Sequence, residues 1–229
     1  MRILALDTSC AAASVAVYDS DERRALVADT QPMAQGHAEA LGPMVQRAME
    51  QVEVGFPTIG RIAVCVGPGS FTGIRIAIAM GRAMGVAIQA PVVGVSSLIA
   101  FAGPLLADPR PGVIVSAIDA RHGHVYFQLF EPSGRPLFAP RVAKLRDAIR
   151  LIGGGPARLC GNAAPLIAEE TQRLPGEFDS SQATPYPDIV AIARAGLALD
   201  PATAPARPLY IKPPDAQPHQ GETIARAEG

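Results

Sequence analysis

The sequence predicts an α/β fold of two similar lobes facing a cleft. Three observations predict it. An apolar strand ending in Asp, a tight turn and a returning strand occur at 3–18 and again at 113–130, each opening one half of the chain. This is a repeat of topology rather than of residues. Apolar strand-like runs alternate with stretches of helical periodicity, the pattern of layered α/β domains. Apolar residues make up 48% of the 229, so a sizeable core is available at a length of roughly one to two domains.

Residues 3–6 (ILAL) are a short strand closed by Asp7, with Thr8, Ser9 and Cys10 as the turn and 14–18 as the returning strand. Residues 37–52 read as a helix, because Leu41, Val45, Ala48 and Val52 recur at three- and four-residue spacing. Strand 62–66, the loop GPGSFTG at 67–73 and a helix from about 74 to 88 follow. Residues 92–95 form another strand, and Ser96 is placed to cap the next helix. DPRPG at 108–112 is the expected boundary between lobes. Beyond it come strands 113–118 and 124–130, a helix over 142–152, a short strand 157–160, and helices 162–173 and 188–199. The expected division is an N-terminal lobe 1–107 carrying the partner-binding helices, a smaller lobe 108–212, and a polar, disordered tail 213–229.

Composition narrows the function classes. Net charge is −1 and no long stretch is strongly basic. Tight unaided binding to nucleic acid needs clustered cations on phosphates, so RNA is expected to be met only through a partner. Cys10, Cys65 and Cys160 are far apart and odd in number, which suits buried thiols in a reducing cytosol better than a disulfide or zinc framework. No targeting segment is read at the N-terminus. Residues 83–107 carry no charge, but Pro91, Gly94, Ser96, Ser97 and Pro104 interrupt them. They read as buried strand, turn and helix rather than a membrane span.

The motifs each carry two readings. A strand-end Asp7 with Thr8 and Ser9 can hold a metal–phosphate, or can be a turn closed by its own side-chain bonds. In the second hairpin, Asp119 is followed by Arg121 and His122 where a phosphate clamp would want small residues. Arg121 can meet an anion or be a solvated turn. The loop GPGSFTG follows a strand and opens a helix, the context for anion binding through Gly69 and Ser70. It is neither the P-loop nor the dinucleotide fingerprint, and its bland reading is a turn with Ser70 or Thr72 as helix cap. Gly73, Ala77, Gly81 and Gly85 recur every four residues and form a flat stripe beside Ile74 and Ile78. Mid-helix glycine costs about 1 kcal/mol against alanine, so the stripe marks a close backbone approach, either to the chain's own sheet or to another subunit. No metal set is read, and no nucleophile–base order supports a hydrolase.

The runs ILALDTS, GPGSFTGIRIAIAMGRAMG, DARHGHVYF and YIKPPDA, in that order along the whole chain, resemble the TsaB (YeaZ) family. The resemblance implies a duplicated actin-like ATPase fold of the sugar-kinase, Hsp70 and actin type, RNase H-like in each lobe. It implies a non-catalytic, cytoplasmic role in forming N6-threonylcarbamoyladenosine in tRNA, beside a catalytic TsaD-like paralogue, a TsaE-like ATPase, and itself as a homodimer. tRNA would be contacted only indirectly, and no membrane is involved. No cofactor is implied in isolation, and ATP or ADP with Mg only within the complex. Partner contact is implied for the first two helices, which here carry Leu41, Val45, Gly73, Ile74, Ala77, Ile78, Gly81 and Gly85. The paralogue's metal-binding His pair is reduced here to His37, with Leu41 in the second place. His122 replaces the second of a usual basic pair, and Lys212 stands where Arg is frequent, losing bidentate geometry. The competing readings are an ATP-dependent phosphotransferase of the same fold, using Asp7 and the 67–73 loop, and a glycopeptidase-like protease.

Overall fold

The first sheet grows from a strand whose two faces are both apolar. The computed structural model describes residues 1–52, 55–172 and 174–211. β1 (Arg2–Cys10) and β2 (Ala12–Asp19) are buried along nearly their whole length, as strands covered on both faces must be. They pair antiparallel with Ala5 opposite Ala16. β3 (Arg24–Pro32) adds antiparallel to β2, while β4 (Ile59–Gly67) and β5 (Val92–Ser96) add in parallel on the other side. The strand order is β3-β2-β1-β4-β5. α1 (His37–Gln51) and α2 (Phe71–Ile88) cover one face, burying Leu4, Leu6, Val15, Val17, Ile62 and Val64. Ile3, Ala5, Ala63, Cys65 and Val93, one residue out of phase, point to the opposite face.

The second sheet repeats the plan. β6 (Val113–Asp119) pairs antiparallel with β7 (His124–Phe130), which pairs with β8 (Arg141–Lys144). β9 (Ala157–Cys160) and β10 (Phe178–Asp179) run parallel to β6 on its other side. The order β10-β9-β6-β7-β8 is that of the first sheet read from the other end. Two copies of a 3-2-1-4-5 sheet, each with only its second strand reversed, constitute the duplicated actin-like topology. α4 (Leu145–Ile152) and α5 (Ala164–Thr171) pack on this sheet.

α3 (Ser97–Leu106) joins the lobes. Its Leu98, Phe101 and Leu105 share a core with Cys10 from the first sheet and Ile114, Ile118, Phe130 and Cys160 from the second. Ser96 caps it through its hydroxyl, which accepts from the Leu98 N–H at 3.2 Å. Arg158 is buried at 4% exposure and donates to the Leu105 and Asp108 carbonyls at 3.0 and 3.1 Å.

Four features depart from the sequence reading. Thr8, Ser9 and Cys10 continue β1 rather than turn, with the pairing register shifting between Asp7 and Cys10. β3 was not anticipated: its partly exposed Asp, Thr and Gln blur the alternation. Residues 142–144 belong to β8, so the helix expected over 142–152 begins at Leu145. Most consequential, α6 (Ile189–Ala198) leaves the second lobe. Its Ile189, Ile192 and Ala193 complete the far face of the first sheet. The chain then adds Pro205 opposite Val93, and the Leu209 N–H donates to the Val66 carbonyl at 2.9 Å. A second lobe running unbroken over 108–212 is therefore incorrect, because that sheet face needs an apolar lid and α6 supplies it. Lys212 and the 213–229 tail lie outside the described residues.

Candidate functional site

The loop between β4 and α2 folds directly onto the end of β1. The Ser70 N–H donates to the Ser9 carbonyl at 2.7 Å, and the Thr8 hydroxyl donates to the Gly73 carbonyl at 2.6 Å. The Ser70 hydroxyl caps α2 by accepting from the Gly73 N–H at 3.2 Å. The Ser97 hydroxyl donates to the Pro68 carbonyl at 2.5 Å and pins the loop from its other side. A Cβ on Gly69 would lie 3.1 Å from the Ser9 carbonyl carbon, and one on Gly73 3.0 Å from that of Thr8. These glycines therefore admit the backbone of β1.

In this structure β1 takes up the groups that a phosphate would use at this loop. The Ser70 N–H that would grip it already holds a protein carbonyl, and the space beside Gly69 and Gly73 is filled by β1. Asp7 is fully buried; its Oδ1 accepts from the Ser9 N–H at 2.8 Å and its Oδ2 has no partner. Burial holds its carboxyl above the usual Asp value, against the lowering effect of the Ser9 bonds. Of the residues expected to form a nucleotide or anion site, Thr8, Ser9, Gly69 and Ser70 here join the β4–α2 loop to β1, and Asp7 lies buried beside them.

The second hairpin closes differently. Asp119 is exposed; its Oδ1 accepts from the Arg121 N–H at 2.7 Å. Arg121, His122 and Gly123 are three successive left-handed residues (φ 63°, 50° and 71°), and the exposed Arg121 stands at the surface. Asp7 is sealed and Asp119 exposed, so the two hairpins do not present a matched pair of carboxylates. His37 Nε2 lies 3.2 Å from the Cys10 carbonyl, and among the described residues no cluster of three His, Cys, Asp or Glu could hold a metal.

The two front helices also resolve differently from expectation. Leu41, Val45, Gly73, Ile74, Ala77, Ile78, Gly81 and Gly85 are all buried toward the chain's own sheet. A Cβ on Gly81 would press into Val64, and one on Gly85 into Val92. The stripe lets α2 lie close on β4 and β5; of the eight, Val45 also lines the open groove along α1 and α2, and Gly85 a second groove beside Val86. By length and composition α2 is the one described helix that would suffice to cross a membrane; its apolar face is spent on this packing. What the pair exposes is its flank. Met80, Met84 and Ile88 from α2, with Gly42 and Met49 from α1 and Phe56 nearby, line an apolar groove of about 820 Å³. The signal was present in the sequence as Met80, Met84 and Ile88 at four-residue spacing, adjacent to the more conspicuous glycine row.

Thiol chemistry has no foothold. Cys10, Cys65 and Cys160 are free and buried. Burial, aided by the Asp7 charge, pushes the Cys10 thiol up to about 12, and burial does the same to Cys160. Cys65 is raised well above its usual value by burial and Asp7. A thiol that stays protonated is a poor nucleophile.

A family model described as "TsaD: tRNA N6-adenosine threonylcarbamoyltransferase" matches residues 31–168. The tRNA threonylcarbamoyladenosine biosynthesis protein TsaB of Escherichia coli is 33% identical over 131 residues, 57% of this chain and 55% of that one. The chain thus spans about half the length of that curated relative. An uncharacterized protein of Mycobacterium tuberculosis is 31% identical over 94% of both chains. YeaZ from Pseudomonas aeruginosa superposes with a TM-score of 0.74 at 28% identity, covering 91% of this chain and 99% of that one. A second structure, of an uncharacterized protein with similarity to peptidase YEAZ from the same organism, gives 0.76 at 27%, over 92% of this chain and 99% of that one. The match over more than half the chain, together with these relatives, shows that the chain belongs to the TsaD family and, within it, to the TsaB/YeaZ group.

Proposed function

We propose that this chain is a non-catalytic subunit in the formation of N6-threonylcarbamoyladenosine in tRNA, binding and activating a TsaD-type catalytic subunit in the cytoplasm. The observation that carries this reading is the apolar groove along α1 and α2. An opening of about 820 Å³ lined by Met80, Met84, Met49 and Ile88 suits a helix of a partner, since methionine adapts to irregular apolar surfaces. The filled loop beside Asp7 supports the non-catalytic part: nucleotide is held by the partner or the TsaE-type ATPase rather than by this chain alone. The same groove serves self-association when no catalytic subunit is present. The raised thiols and the closed β4–α2 loop speak against the protease and phosphotransferase readings.

The test is co-purification with a TsaD-type subunit, followed by reconstituted tRNA modification with and without the chain. Ala87→Arg places a charge in the groove at an exposed position outside the core. It should abolish association and lower modification to the level without the chain, while leaving the melting temperature unchanged. Full association by a folded Ala87→Arg protein refutes the groove. Gly81→Glu would not serve, because it disrupts the core rather than the surface.

A further inference from the structure

We propose that the opposite flank of α2 is a docking surface for single-stranded RNA, taking an unpaired base on Phe71 and Tyr210 and neighbouring phosphates on Arg75, Arg82 and Arg207. This goes beyond partner docking, and either reading can fail without the other. At about 100° per residue, positions 71, 75, 82 and 86 fall on one stripe roughly opposite Met80 and Met84, and the stripe runs for about 22 Å.

At its head is a built stacking platform. The Phe71 and Tyr210 rings are each 53% exposed. They stack with centroids 5.9 Å apart and planes 28° from parallel. The Arg75 guanidinium lies 3.7 Å over the Phe71 ring, and its Nε and Nη2 donate to the Tyr210 hydroxyl at 3.1 and 3.0 Å. Three side chains from two distant segments are thus fixed in place before any ligand arrives, which lowers the ordering cost of binding. Exposed aromatic planes paired with a guanidinium are what unpaired bases stack on.

Farther along, Arg82 and Arg207 line a groove of about 500 Å³ between α2 and the returning C-terminal segment, with Val86 and Pro205 as its apolar walls. Among the described residues neither arginine enters an ion pair. No acidic residue occurs within 71–88 or 201–211. A net charge of −1 conceals this local strip, which is why RNA was expected only through a partner. Charge complementarity calls for a polyanion, and the ring platform calls for one with planar bases rather than an acidic peptide. An aromatic platform takes an unpaired base, so a single strand is favoured over a duplex.

Three phosphate contacts predict a salt slope of about −2 for a single strand, so raising salt fourfold weakens binding about 20-fold. The experiment mixes the full chain with a fluorescein-labelled single-stranded RNA heptamer carrying 5-bromouridine, reads anisotropy at 50 and 200 mM salt, and maps photo-crosslinks by mass spectrometry. Crosslinks are expected in the peptides holding Phe71 or Tyr210, and Phe71→Ala or Arg207→Glu should each lower crosslink yield about tenfold. Both positions are exposed; should Phe71→Ala alter the melting curve, Arg207→Glu supplies the reading. Absence of crosslinks, crosslinks mapping elsewhere, equal affinity for duplex RNA, or equal competition by a polyglutamate peptide overturns the proposal.

Discussion

Gly81→Ala separates two roles for the glycine stripe. In an exposed helix the change would stabilise the protein by about 1 kcal/mol through helix propensity. Here the added methyl would press into Val64 Cγ1 and lie 3.5 Å from Ile62 Cγ2 and 3.7 Å from Leu6 Cδ1. Val64 is a fully buried, β-branched residue of a central strand, so it has neither free rotamers nor space to withdraw. Overpacking of this kind costs about 1–3 kcal/mol. Set against the propensity gain, the net expectation is a loss of about 1 kcal/mol, or roughly 2–4 °C in melting temperature for a chain of this size. Gly73→Ala should be far worse, because its Cβ meets the backbone carbonyl of Thr8, with the carbonyl carbon only 3.0 Å away. Thermal and urea unfolding of the isolated chain measures both. If Gly81→Ala melts at or above the wild-type temperature, α2 does not sit on the sheet as described, and the stripe is free to face another subunit after all.

The buried Asp7 carboxyl should shape stability against pH. Its folded value is raised, so the folded protein keeps a proton that the unfolded chain releases above about pH 4, and stability falls as pH climbs from there. Asp7→Asn removes that titration and should gain on wild type as pH rises above about 4, until the raised folded value is passed, in melting experiments; parallel curves would contradict it. Arg158→Met removes the guanidinium donor from the Asp108 carbonyl and leaves the Leu105 carbonyl only the Asp108 N–H, and should cost about 2 kcal/mol in urea denaturation. Titration of the isolated chain with Mg-ATP should release no heat, because the Ser70 N–H and the space beside Gly73 are already taken by β1; a measurable heat would reopen the phosphotransferase reading.

Much of the framework was legible in the sequence. The strands around 62–66 and 92–95, the Ser96 cap and the paired hairpins follow from apolar runs, cap chemistry and topology repeated at two places. What stayed hidden depends on contacts between distant residues. Asp7, Thr8 and Ser9 look like a turn because they are polar, yet all three are fully buried, and Thr8 bonds to Gly73, 65 positions away. The glycine row announced a close approach without naming the neighbour, since a sheet requires flatness of a helix as much as a subunit does. Attention to the glycines also hid the Met80–Met84 row beside them, which faces the open groove. Nor does a helical period at 188–199 say which lobe it will cover.

That last helix has a consequence for how the molecule is made. β1 and β4 leave the ribosome early, but the helix that shields Ile3, Ala5 and Ala63 follows more than a hundred residues later. Until about residue 198 emerges, the nascent N-terminal half carries an uncovered greasy face, a natural substrate for chaperones and a seed for aggregation if translation stalls. A fragment ending at the interlobe connector would inherit that defect permanently, so this protein is better studied, and better fused to other domains, with its two ends intact.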